Sequence, residues 1–180
     1  MIYKRSKKKI SYKYLQRQSH ALEIDMPELP REGEHFKLFS DGGFSSISII
    51  AKIARDEGIR DLYVSTLRIG KKEMQVLLAL NQSGLLDKAT FFVGSIFAND
   101  KKSEYDYFTY ATDVCEKLGW KFHVIKNHSK LILAETPGSH IVVETSSNLN
   151  ENPKMEQFCI ERDVGAFDFY KCCLLMAVKK

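Results

Sequence analysis

The sequence predicts an α/β protein, a mixed β-sheet flanked by helices on both faces. Three observations carry this. Short apolar runs rich in β-branched and aromatic residues alternate with longer segments of helical apolar spacing. Late in the chain the pattern changes, and two strand-like runs flank Thr136-Pro137-Gly138-Ser139, which reads as a hairpin turn. Alternation early and antiparallel pairing late imply a mixed sheet rather than a purely parallel one. The chain has 180 residues, long enough for one domain with a good core.

Each element can be justified in order. Residues 1–34 read as a basic arm followed by a linker that contains Pro27, Pro30 and Gly33, and residues 35–180 as the folded domain. Phe36–Phe39 is the first strand of that domain, turned by Asp41-Gly42-Gly43. Ile47, Ile50, Ala51, Ile53 and Ala54 then recur at helical spacing up to Gly58, with Ser45 or Ser46 as the cap. The double glycine lacks the full spacing of a phosphate loop, so it reads as a strand-to-helix turn.

Asp61–Thr66 is the second strand. Met74, Val76, Leu77, Leu78 and Leu80 mark a helix that begins near Lys71-Lys72 and ends near Gly84. Ala89–Ser95 is almost continuously apolar and predicts a strand at the centre of the sheet. Asn99–Lys102 is a loop and Ser103 a cap for a helix carrying Tyr107, Tyr110, Ala111, Val114 and Leu118. The aromatic cluster Tyr105, Tyr107, Phe108 and Tyr110 fits core or dimer contact better than a stacking surface. Trp120–Lys126 alternates and predicts a strand with one wet face, which puts His123 at the surface. After the hairpin come a strand near Gln157–Ile160 and a last helix from Asp163 as cap through Val178.

Composition excludes several classes. No stretch reaches the roughly 18 apolar residues of a membrane span. The basic N-terminus is not followed by the apolar segment of a secretory signal. Cys115, Cys159, Cys172 and Cys173 have neither zinc-type spacing nor a secreted framework, and the last two, in an apolar run, read as buried thiols. A reducing cytoplasm follows as the expected setting. Charge is uneven: residues 1–18 carry +7 and the remainder −3. Lys4, Arg5, Lys7, Lys8, Lys9 and Lys13, interleaved with Tyr3, Tyr12 and Tyr14, can grip phosphates and stack on bases. A solubilising tail accounts for the same residues equally well.

The chemistry concentrates around the hairpin. Side chains in a strand alternate faces, so His128 and Lys130 point the same way. A turn near Pro137 or Gly138 brings Ser146 or Asn148 opposite His128. One patch then carries an imidazole, an ammonium, a hydroxyl and a carboxamide. Lysine, hydroxyl and amide groups hold the anionic oxygens of a phosphodiester and gain value as charge builds in the transition state. Imidazole attacks phosphorus or moves a proton near neutral pH. Glu156 is placed to orient the imidazole from behind.

In this order, His128-x-Lys130, Ser146-x-Asn148 and the following Glu156 resemble the signature half of the phospholipase D superfamily. The similarity is greatest to its short, single-motif, nuclease-like members. The resemblance implies that two such halves share one active site, hence a homodimer. It implies that His128 forms a covalent phosphohistidine while His128 of a second subunit protonates the leaving group. It implies that Lys130, Ser146 and Asn148 bind phosphate, that Glu156 hydrogen-bonds the imidazole, and that neither metal nor cofactor is needed. This chain has Glu135 where the family usually has Asp, Thr145 where it usually has Gly, and a slightly longer hairpin.

The expected function is thus a metal-independent phosphodiesterase, foremost a nuclease. Nucleic acid is the expected partner, DNA ahead of RNA, because the arm is basic and no strongly amphipathic, membrane-seeking helix is present. Two rivals remain open at this point. One is a non-catalytic protein that clamps nucleic acid on the same fold. The other is a phosphodiesterase directed at phospholipid.

Overall fold

The computed structural model describes residues 9–15, 22, 26, 28–99, 105–150 and 154–179, with the backbone alone at 9–15, 98–99 and 105–106. Eight strands form one sheet: β1 (Lys9–Leu15), β2 (Glu34–Asp41), β3 (Ile59–Thr66), β4 (Leu86–Gly94), β5 (Lys121–Ile125), β6 (Leu131–Glu135), β7 (His140–Thr145) and β8 (Met155–Arg162). Their spatial order is β1-β2-β8-β7-β6-β3-β4-β5. The described helices are α1 (Ser46–Glu57), α2 (Lys71–Gln82), α3 (Ser95–Asn99), α4 (Tyr105–Leu118) and α5 (Val164–Val178).

The sheet is mixed, as the sequence predicts. Pairings β1–β2, β3–β4 and β4–β5 are parallel. Pairings β2–β8, β8–β7, β7–β6 and β6–β3 are antiparallel. Parallel neighbours need a crossover, and α2 and α4 supply it between β3, β4 and β5. The near-continuous apolar run at β4 lies inside the sheet, one strand from the β5 edge, while β7 and β6 occupy the middle.

Helices cover the two faces unequally. Ile49, Ile50 and Ile53 of α1, Met74 and Leu77 of α2, and Ala111, Val114 and Cys115 of α4 pack with Leu62, Val64, Phe91, Ile132 and Val143 in the larger core. Burial pushes the Cys115 thiol up to about 12, which keeps it an inert neutral group. On the other face α5 is the one helix among the described residues, seating Ala166, Phe167 and Leu174 on Tyr63, Phe92, Leu133 and Val142. Asp163 caps α5, accepting from the Ala166 N–H at 3.0 Å. Among the described residues no helix is long and apolar enough to cross a membrane.

Four details differ from the sequence expectations. β1 lies inside the stretch read as arm, pairing along β2 from Lys9↔Glu34 to Leu15↔Ser40. Ile10, Tyr12 and Tyr14 keep the two-residue period of a strand, but the lysines obscure it. His123 is not simply a surface residue: its ring lies 5.5 Å from that of Phe92, and burial together with the Lys121 charge holds the imidazole below its ordinary value. The side of β5 expected to be wet is the side on which α5 packs. Cys172 is exposed and Cys173 half-buried, because α5 turns Leu174 to the sheet and Cys172 lies off that face. Lys4, Arg5, Lys7 and Lys8, the 100–102 part of the loop and the Ser103 cap lie outside the described residues, and of Lys9 and Lys13 only the backbone is described.

Candidate active site

Every candidate site residue of the hairpin lies at one end of the sheet, where parallel β3 and β4 finish. The hairpin turn is Thr136–Ser139, closed by the Thr136 N–H donating to Ser139 O at 2.9 Å. Its register pairs Leu131 with Glu144, and the ladder continues one residue further, with the Thr145 N–H donating to Lys130 O at 3.3 Å. Continued, that register sets His128 level with Ser147, between Ser146 and Asn148.

His128 and Lys130 project together, as alternation requires. The Lys130 ammonium donates to His128 O at 3.0 Å and lies 3.2 Å from His128 Nδ1. An ammonium cannot accept, so in this arrangement Nδ1 is the acceptor and a neutral ring carries its proton on Nε2. The described hydrogen bond of Glu156 goes to the Ser146 hydroxyl, not to the imidazole. Ser146 Oγ also accepts from the Gln157 N–H at 3.1 Å. The Glu156 carboxylate is 7% exposed, and burial at that depth makes a hydroxyl partner valuable.

Asn148 is held by its oxygen. Oδ1 accepts from the Leu67 N–H at 3.2 Å and lies 3.5 Å from Thr66 Oγ1. Among the described residues, no acceptor takes the two amide hydrogens. The Thr66 hydroxyl accepts from the Leu149 N–H at 3.0 Å, and Leu149 O accepts from the Gly70 N–H at 2.8 Å. The chain after β7 is thereby fastened to the loop after β3. Thr145 contributes where the family usually has Gly: its hydroxyl donates to Gln157 O at 2.8 Å and accepts from the Ser147 N–H at 2.9 Å.

Sequence reasoning missed the support beneath these groups. Asn127, Ser65, Thr66 and Gly94 lie under the site, and Ser129 joins them from the surface. A Cβ built on Gly94 would stand 2.6 Å from Leu67 Cδ1 and 2.9 Å from Asn127 O, so the two site loops close over a residue without a side chain. The available signal was polar: Ser65 and Thr66 follow the apolar run Leu62-Tyr63-Val64 at the end of β3 and are each 1% exposed. Among the described residues, no three His, Cys, Asp or Glu side chains come together as a metal set.

No family model matches the chain, and no curated protein matches it. Solved structures do. Nuc from Salmonella typhimurium, a phospholipase D family member, superposes with a TM-score of 0.59 at 13% identity over 79% of this chain and 92% of its own. The chain has the phospholipase D fold. NucT from Helicobacter pylori matches with a TM-score of 0.53 at 12% identity over 73% of this chain and 86% of its own. Phosphatidylserine synthase from Haemophilus influenzae matches at 0.53 and 14% identity, over 81% of this chain but only 38% of its own. At these identities the likeness is one of fold. In this phospholipase D fold, chemistry must be argued from the side chains at the sheet end.

Proposed function

We propose that the protein is a metal-independent phosphodiesterase acting on nucleic acid, with one active site shared by two copies of the chain. The observation that carries this reading is the convergence of His128, Lys130 and Asn148 on the end of β3. His128 attacks phosphorus, a P–N bond forms, and the P–O bond to the leaving group breaks. The leaving oxygen takes its proton from His128 of the second subunit. Water then attacks the phosphohistidine, gives its proton to that second imidazole, and frees the first.

Lys130 and Asn148 bind the anionic oxygens. Arriving phosphate draws the ammonium away from His128 Nδ1, which lets the ring present an unprotonated Nε2 to phosphorus. Glu156 acts through Ser146, releasing that hydroxyl toward phosphate or, after a side-chain shift, taking the imidazole proton. α1 and α2 both start at this end of the sheet, and the Ser46 hydroxyl of α1 donates to Ser147 O at 3.2 Å. Their N-termini favour an anion. Lys4, Arg5, Lys7, Lys8, Lys9 and Lys13 would extend the grip along a polyanion.

The second subunit docks on the end of α5. Leu175 and Met176 are 41% and 45% exposed, and Val124 of the β5 edge is 42% exposed. Met176, Cys173 and Val124 line a cleft of about 770 Å³ that reaches Lys126, two residues before His128. An exposed apolar patch beside the site fits the requirement for a second histidine.

A second reading has its own support. Lys130 rests on the imidazole and Glu156 on Ser146, an arrangement that suits a clamp without turnover. Cleavage of labelled single- and double-stranded DNA and RNA in excess EDTA, wild type beside His128→Ala, decides between them. EDTA-resistant cutting that disappears in the variant is the expected outcome. Binding by both proteins without cutting would leave the clamp, and cutting that EDTA abolishes would refute the mechanism.

A further inference from the structure

The side chain next to the proposed nucleophile is held at both ends of its amide. Asn127 Nδ2 lies 2.8 Å from Phe92 O, 2.8 Å from Ser65 Oγ and 3.3 Å from Thr66 O. Asn127 Oδ1 accepts from the Ser129 N–H at 2.9 Å and the Ser129 hydroxyl at 2.8 Å. Ser129 Oγ in turn lies 2.6 Å from Ser65 Oγ. The orientation of the amide follows from its partners: Phe92 O and Thr66 O can only accept, and the Ser129 N–H can only donate.

The consequence for His128 is direct. Its own side chain is exposed, yet the residues on both sides of it are tied to β3 and β4. The Asn127 carboxamide closes a turn over His128 at one end and reaches two strand ends at the other. Asn148 is tied to the same stretch, through Thr66 and the following Leu67. Nucleophile and phosphate-binding amide are therefore both measured from one rigid base.

We propose that Asn127 is a positioning residue that fixes the His128 imidazole relative to Asn148, using Ser65–Leu67 as the common base. This inference rests on the phosphodiesterase reading for its kinetic consequence and on geometry alone for its structural one. Asp is the informative replacement. Asn127→Asp keeps the shape and the acceptor toward Ser129, but sets a carboxylate oxygen against the Phe92 and Thr66 carbonyls where an amide donated.

The test uses the full-length protein, bis(p-nitrophenyl) phosphate in EDTA, and the variants Asn127→Asp, Ser129→Ala and His128→Ala. Asn127→Asp is expected to lower kcat about 100-fold with KM within about threefold, since misplacement costs the reacting geometry while the phosphate-binding groups remain. Ser129→Ala, at an exposed position, should lower kcat about tenfold in the same manner. In proton spectra the His128 ring resonance, assigned by its loss in His128→Ala, should shift and broaden in Asn127→Asp while that of buried His35 stays in place. A merely structural role would lower thermal stability and disturb both resonances together.

An Asn127→Asp protein with kcat within about threefold of wild type and an unmoved His128 resonance overturns the proposal. If Asn127→Asp does not fold, Ser129→Ala is read by the same two criteria. If the wild type turns over no diester, or turns it over as fast without His128, the phosphodiesterase reading fails. The His128 resonance then decides the positioning role alone.

Discussion

At Thr145 this chain has a side chain where the family it resembles usually has none. The hydroxyl reaches across to Gln157 O and back to the Ser147 N–H, at 2.8 and 2.9 Å. It therefore joins β7 to β8 and starts the turn that delivers Asn148. Thr145→Gly would remove both bonds and add backbone freedom. The expected cost is about 1–3 kcal/mol of stability in denaturant unfolding, with diesterase activity lowered rather than raised. A variant that is as stable and more active would mean that the hydroxyl only crowds the phosphate. The residues proposed to bear the chemistry were legible in the sequence because the hairpin period fixes which side chains share a face, as it does for His128 and Lys130. Their partners were not. Whether Glu156 meets an imidazole or Ser146 depends on where the chain bends after Thr145, and periodicity ends where the strand does.

Among the elements, α5 separates what a sequence pattern can say from what it cannot. α1 and α4 carry apolar residues on one face only, so both their existence and their orientation could be read. α5 is apolar nearly all round, from Phe167 through Val178, so its pattern gives a helix but no direction. Cys172 and Cys173 were expected inside for that reason, and the fold instead turns Cys172 outward and leaves the turn after Leu174 bare. β1 illustrates the opposite failure, where lysines conceal a strand period. The bare end of α5 is the surface assigned above to the second subunit. Leu175→Glu with Met176→Glu should yield a monomer in sedimentation at micromolar concentration. Both residues are more than a third exposed, so the monomer should remain folded. Its activity on a small diester should fall with the dimer, because one chain supplies only one of the two histidines. A folded, fully active monomer would remove the shared site from the mechanism.

The molecule as a whole keeps its proposed site and one of its main fastenings at opposite ends of the sheet. Away from His128, the Arg162 guanidinium at the end of β8 meets the Glu57 carboxylate at the end of α1, and also Ser139 of the hairpin turn and Pro30 O ahead of β2. Thr136 and Ser139 donate to the same carboxylate at 3.0 and 3.2 Å. One carboxylate–guanidinium pair thus gathers a helix, a hairpin, a strand and the segment entering the sheet. Burial works to raise the Glu57 carboxyl, but the bonds from Arg162, Thr136 and Ser139 and the Arg162 charge outweigh it and hold it below its ordinary value. The sign of the linkage follows. A carboxyl depressed in the folded state contributes stability that is fully present above its unfolded value and is lost as pH falls through the folded one. Wild type should therefore lose thermal stability as pH drops below about 4.5. Glu57→Gln cannot ionise and weakens the pairing with Arg162. It should be less stable than wild type by about 1–3 kcal/mol at neutral pH and lose less of its stability over the acid range. Its kcat on a small diester should match wild type, since His128 lies at the other end of β6. Melting curves of the two proteins across the acid range test this. Parallel pH dependences would show that the clamp does not carry the acid sensitivity, and a lowered kcat in Glu57→Gln would show that the two ends of the sheet are not independent.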